Sequence, residues 1–87
     1  MWYFYVLQSH KDKNWFYKGS TDRLEKRLSE HNSGLVDSTK SYQPLELVYY
    51  EAYKYEFAAR IRESHVKKSG SIWIPMKKRI IESLNKY

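Results

Sequence analysis

Trp2-Tyr3-Phe4-Tyr5-Val6-Leu7 and Trp15-Phe16-Tyr17-Lys18-Gly19 are two short runs dense in β-formers, separated by the polar segment His10-Lys11-Asp12-Lys13-Asn14. Two such runs joined by a polar loop read as a β-hairpin, closed at Gly19. Successive side chains of a strand point to opposite faces. Tyr3 and Tyr5 therefore share a face, opposite Phe4 and Val6, and Tyr17 shares a face with Trp15, opposite Phe16. One tyrosine from each strand can meet on a single face of the hairpin. Tyrosine is common in strands for packing reasons alone, so on this pattern both read first as structural.

Outward from the hairpin, Ser20-Thr21-Asp22 offers helix caps. With Asp22 as the cap, Glu25 completes a capping box; with Thr21 as the cap, Leu24 takes that position. Leu24 and Leu28 lie four apart, and Asn32-Ser33-Gly34 is a stop signal, so a first helix is expected over 22–32. Leu35 to Gln43 has no period and reads as a loop ending at Pro44. Leu45 to Tyr53 reads as a third strand. Glu56 to Lys68 reads as a second helix with Phe57, Ala58 and Ile61 on one side. Ser69-Gly70-Ser71 breaks it, and Pro75 is expected in the first turn of a last helix on which Met76, Ile80, Ile81 and Leu84 recur. The expectation is an α+β fold of one domain over residues 1–87. Its small three-stranded, mainly antiparallel sheet is flanked by helices in the order β-β-α-β-α-α. The order of strands within the sheet does not follow from the pattern.

Composition narrows the chemistry. The chain has 87 residues, of which 41% are hydrophobic and 17% aromatic, so large rings must fill a small core. The absence of cysteine excludes disulfides, thiolate nucleophiles and Cys-type zinc sites. The longest apolar run, Met1 to Leu7, is far shorter than the roughly 20 residues of a membrane span and lacks the flanks of a secretory signal. A soluble cytoplasmic protein with no membrane partner is expected. A net charge of +6 favours a polyanionic partner, although basic proteins that are merely soluble are also common.

Helical phase singles out two cations. At about 100° per residue, His31 falls next to Leu24 and Arg27 falls about 60° from it. Both border the face that packs on the sheet, where charged groups seldom sit. The structural alternatives are a snorkelling arginine and a half-buried histidine with its hydrogen bonds met. Glu63 lies at the edge of the Ala59 and Val66 side of the second helix. A carboxylate there can hold a hard divalent cation or pair with Lys67 four residues on. Lys67, Lys68, Lys77, Lys78 and Arg79 face either phosphate or solvent.

These residues together resemble the GIY-YIG nuclease superfamily, most closely its short stand-alone bacterial members. Tyr3-Phe4-Tyr5 corresponds to the first signature and Tyr17-Lys18-Gly19 to the second. The run from Gly19 to Gly34 is similar to the helix that follows them, and it is the most specific part of the likeness. Pro44 to Glu51 is similar to the third strand, and Ala58-Ala59-Arg60-Ile61-Arg62-Glu63 to the helix bearing the metal-binding glutamate. The resemblance implies a metal-dependent endonuclease, with DNA favoured over RNA and a place in repair or recombination. It implies catalytic roles for Tyr5, Tyr17, Arg27 and His31, and one Mg²⁺ or Mn²⁺ held by Glu63. Lys18, Lys40, Lys67, Lys68, Lys77 and Lys78 are the expected nucleic-acid contacts. The departures are Tyr3 and Phe4 where the signature has Gly and Ile, and Lys18 in place of Ile; none removes a catalytic side chain. In the implied chemistry, Arg27 neutralises a phosphate oxygen and a tyrosine, Tyr5 first, helps deprotonate the attacking water. A phenol with a pKa of about 10 needs assistance from Arg27, the metal or His31. A non-catalytic nucleic-acid-binding module on the same fold is the alternative, and a protein-docking adaptor ranks below it. A homodimer or an accessory protein is left open as a partner.

Overall fold

Strand β1 (Trp2–Ser9) lies between β2 (Phe16–Thr21) and β3 (Leu45–Tyr53), antiparallel to both, in the order β2-β1-β3. The chain continues from β2 into α1 (Leu24–Asn32), passes through a short 3-10 turn at Lys40–Tyr42, and ends with α2 (Glu56–Lys68) and α3 (Gly70–Leu84) after β3. This computed structural model describes residues 1–85. The result is the α+β arrangement and element order expected from the patterning.

The central strand is covered on both faces, which is why Phe4 to Ser9 are all buried. Phe4 and Val6 pack with Val66, Met76 and Ile80 under α2 and α3. Tyr5 and Leu7 pack with Leu45 on the other face, against Leu24 and Leu28 of α1 and the rings of Trp15 and Tyr17. Each large apolar side chain buried here contributes roughly 1.5–3 kcal/mol. The opposed facing of Tyr5 and Phe4 holds as the period of two requires. β2 is one of the two edge strands, and around this edge Glu63 of the α2 layer reaches the cleft on the α1 side.

Two clamps fix the pieces that matter for function. Arg62 donates to both carboxylate oxygens of Glu51 on β3, at 2.9 and 3.1 Å, and Tyr49 and Tyr53 donate to the same group. Burial alone would raise the Glu51 carboxyl, but these donors hold it below the usual carboxylate range. The pair sets the rotation of α2 and turns the neighbouring Glu63 toward β2. The second clamp is Asn32, whose side chain donates to the Leu45 carbonyl at 2.8 Å and accepts from the Leu45 N–H at 2.7 Å. Ser9 Oγ donates to the Tyr42 carbonyl at 2.7 Å. The loop between α1 and β3 is thereby pinned at both ends, and the Gln43–Pro44 peptide within it is cis.

Four sequence expectations are corrected. Helix α1 starts at Leu24 rather than residue 22, and no side chain caps it. Thr21 Oγ1 instead accepts the Arg23 N–H at 3.1 Å, a local turn that replaces the capping box. The loop read over 35–43 contains the 3-10 turn. On α2 the buried residues are Ala59 and Val66, whereas Phe57 and Ile61 are 64% and 50% exposed. The small Ala59 lets the helix approach the sheet, and the bulkier pair is left outside. Helix α3 begins at Gly70, so the break narrows to Ser69 and Pro75 lies inside the helix rather than in its first turn. No helix among the described residues is long and apolar enough to cross a membrane.

Candidate active site

Tyr5, in the middle of β1, has a buried ring and a hydroxyl 2.9 Å from His31 Nε2. His31 is wholly enclosed, and its Nδ1 lies 2.8 Å from Thr39 Oγ1. Thr39 donates its hydroxyl proton to the Val36 carbonyl at 3.3 Å, leaving the oxygen free to accept. The directions of these bonds assign the tautomer: Nδ1 carries the proton, Nε2 offers a lone pair, and Tyr5 donates to it. Burial, and secondarily the positive charge of Arg27, lowers the His31 pKa to about 4. Burial pushes the Tyr5 phenol up to about 12, a rise the neighbouring Arg27 guanidinium opposes. At neutral pH the pair therefore rests as a neutral phenol hydrogen-bonded to a neutral imidazole.

The phenol leaves β1 directly over Gly19, its cross-strand partner on β2. A Cβ at position 19 would lie 2.6 Å from Tyr5 Oη, 2.7 Å from Cζ and 3.0 Å from Tyr17 Cε2. The glycine is required by this close approach of a ring to backbone. Gly19→Ala is expected to push Tyr5 off its bond to His31 and to cost about 1–3 kcal/mol of stability through overpacking. Urea denaturation measures the second effect, and loss of the His31 imidazole shift of the native protein in an NMR spectrum reports the first.

A cleft of about 650 Å³ opens above these groups, lined by Tyr5, Tyr17, Gly19, Ser20, Arg27 and Glu63 among others. Arg27 comes from the half-buried flank of α1 and donates to Glu30 Oε1 at 3.0 Å. Glu63 comes from α2 around the edge of β2. Its Oε1 accepts from Ser20 Oγ and its Oε2 from Lys67 Nζ, each at 2.6 Å. Arg23, Lys26 and Arg60 add positive charge along the same walls. Four of the five residues that the resemblance implies thus line one cleft, and the fifth, His31, lies beneath Tyr5.

The lysines divide differently. Lys67 stands beside the cleft over the ring of Tyr17, and Lys68 lies near Glu63 on the outer face of α2. Lys18 points to the opposite face of the sheet, over Trp73, and Lys77 over Phe16. Lys40 is exposed in the 3-10 turn, next to the hairpin loop, where Lys11 donates to the Ser41 carbonyl, and Lys78 is exposed on α3. Neither lines the cleft.

The match to known proteins decides the family. Residues 1–72 fit the GIY-YIG catalytic domain. The chain belongs to the GIY-YIG family. Its likeness extends to short bacterial relatives: a UPF0213 protein of Clostridium perfringens is 39% identical over 67 residues, covering 76% of this chain and 70% of the relative. A UPF0213 protein of Syntrophus aciditrophicus is 41% identical over 68 residues, covering 76% of each. The UPF0213 protein YazA of Bacillus subtilis is 37% identical over 67 residues, covering 76% of this chain and 66% of the relative. No solved structure matches at a significant level. The family is a nuclease superfamily whose members generally use a divalent metal and act on nucleic acid. Within this frame Thr39, Ser20 and Glu30 are the polar partners that sequence reading missed.

Proposed function

We propose that this GIY-YIG protein is a metal-dependent endonuclease acting on DNA, with Tyr5, Tyr17, Arg27 and His31 as its catalytic groups and Glu63 as its metal ligand. The observation that carries the reading is the single cleft shared by Tyr5, Tyr17, Arg27 and Glu63. A divalent ion fits the donor set present. No cluster of three or more His, Cys, Asp or Glu suited to a metal occurs among the described residues. The carboxylate Glu63 stands at the cleft beside the Ser20 hydroxyl, and Lys67, which pairs with its other oxygen from the exposed side of α2, has to swing away for an ion to bind there. A carboxylate so placed suits Mg²⁺ or Mn²⁺, since a magnesium ion keeps several waters and takes one or two carboxylates plus substrate phosphate. When bound, the ion supplies Lewis-acid stabilisation of the leaving oxygen.

The chain's own residues do the rest. The Arg27 fork matches two phosphate oxygens and neutralises charge there, releasing Glu30 in exchange. Tyr5 holds a water by its hydroxyl oxygen while its proton is directed at His31 Nε2. With burial holding the phenol up and the imidazole down, a full proton transfer at rest is uphill. His31 therefore orients Tyr5 rather than ionising it beforehand. Movement of the proton has to accompany attack on the phosphate, where Arg27 stabilises the developing charge. Tyr17, tilted against Tyr5 and edge-on to His31, lines the cleft beside them.

The test is cleavage of labelled single-stranded, duplex and branched DNA, and of RNA, with Mg²⁺ or Mn²⁺ and with EDTA. Metal-dependent internal cutting, stronger on DNA than on RNA, is expected. Salt-sensitive binding without cutting on any substrate would favour the non-catalytic binding module.

A further inference from the structure

Three lysines surround the outer edge of β2 without a role in the cleft chemistry. Lys18 leaves β2 toward α3 and holds its Nζ 4.3 Å above the Trp73 ring. Trp73 meets Phe16 edge to face, with centroids 5.6 Å apart, and Lys77 Nζ lies 5.8 Å from the Phe16 ring. Lys67 Nζ lies 5.9 Å from the ring of Tyr17, the next residue along β2. Rings on the two sides of the β2 edge thus carry three ammonium groups, Trp73 and Phe16 on one side and Tyr17 on the other. Among the described residues, the ion pair of Lys67 with Glu63 is the one that any of the three makes.

The aromatic rings hold these ammonium groups by weak, partly desolvated attraction that leaves N–H donors for an anion, although Lys67 also donates to Glu63. Lys18 responds to the crowding: burial first, then the charges of Lys67 and Lys77, pulls its pKa below the usual lysine value. Such a trio is held together by the fold and relieved by an anion. One end of it, Lys67, already touches Glu63 in the cleft, so the anion belongs to the same strand that the cleft receives.

We propose that Lys18, Lys67 and Lys77 form one phosphate-binding site on the outer edge of β2, which holds a backbone phosphate of the nucleic acid beside the phosphate to be cut. The proposal rests on the nuclease reading and adds a direction to it: the strand runs from the cleft across Tyr17 toward α3, not toward the hairpin loop and Lys40.

The test is fluorescence anisotropy with a labelled DNA oligonucleotide in EDTA, where nothing is cut, over a range of KCl. Lys18→Gln with Lys77→Gln is expected to weaken binding about tenfold and to flatten the slope of log K against log[salt] by about one. Lys18→Met with Lys77→Met, which keeps the stems on their rings, is expected to lose as much, separating charge from packing. Lys11→Gln with Lys13→Gln removes equal charge in the hairpin loop at the far end of the sheet and should weaken binding less than about twofold. Equal losses from both charge-matched pairs, or no loss from Lys18 and Lys77, would overturn the site while leaving the nuclease reading intact. No binding by the wild-type chain would overturn both. Attachment to anionic phospholipid vesicles in preference to the oligonucleotide, through Lys18 and Lys77, would also overturn it.

Discussion

Tyr5→Phe is expected to lower the cleavage rate about 10²–10⁴-fold, the usual scale for loss of a proton-transfer group, while the protein stays folded. The ring fills the α1 side of the core, and phenylalanine keeps that packing. What disappears is the hydroxyl that bonds His31 Nε2 at 2.9 Å and stands beside Arg27. The buried Nε2 then has no donor, which costs about 1–3 kcal/mol. Single-turnover cleavage and urea denaturation of the same variant separate the two effects. If Tyr5 served only packing, rate and stability would fall together and modestly. The raised phenol also sets the pH dependence: the neutral Tyr5–His31 pair is the reacting form, so ionisation of Tyr5 should cause no change in cleavage rate on the alkaline side until pH approaches about 12.

The second large effect is on stability against pH. His31 has a pKa of about 4 in the folded protein and about 6.5 when unfolded. Between these values the unfolded chain binds a proton that the folded chain refuses. Stability is therefore complete above about pH 6.5 and is lost as pH falls toward 4, by roughly 3 kcal/mol in all. Glu51, held low by Arg62 and the two tyrosines, also loses its contribution in acid, so the wild-type curve alone mixes the two groups. His31→Gln isolates the first: its melting temperature should be flatter than that of the wild type between pH 6.5 and 4. A parallel pair of curves would show that His31 is not held neutral by the fold. Thr39→Val removes the acceptor that directs the His31 tautomer and is expected to move the imidazole ¹⁵N shifts toward the other tautomer, with Thr39→Ser restoring them.

The hairpin was readable because its two runs alternate cleanly, so the facing of Tyr5, Tyr17 and Phe4 follows from a period of two. Arg27 and His31 were visible through helical phase, since a cation beside Leu24 and Leu28 violates the usual pattern. Glu63 was visible as the edge of the Ala59 and Val66 stripe. Phe57 and Ile61 misled for the opposite reason: size and apolarity say nothing of exposure when a smaller residue decides how closely the helix approaches. Thr39 was invisible because its loop has no period and its place depends on the bonds of Asn32 to Leu45 and of Ser9 to Tyr42, which join residues thirteen and thirty-three positions apart. Ser20 read as a helix cap, yet it serves the Glu63 carboxylate across forty-three positions. The strand order, which brings Glu63 around an edge to Tyr5, is a tertiary fact with no local signature.

In the proposed mechanism Arg27 on α1 and Glu63 on α2 belong to one hydrolytic site. The most direct measurement is metal-dependent cleavage of a labelled DNA substrate by wild type, Arg27→Ala and Glu63→Ala, purified in parallel. The expected result is cutting by wild type and a loss of at least about 10²-fold in each variant, with both variants as folded as wild type by circular dichroism. Cleavage that survives both substitutions would contradict the account and place the activity elsewhere.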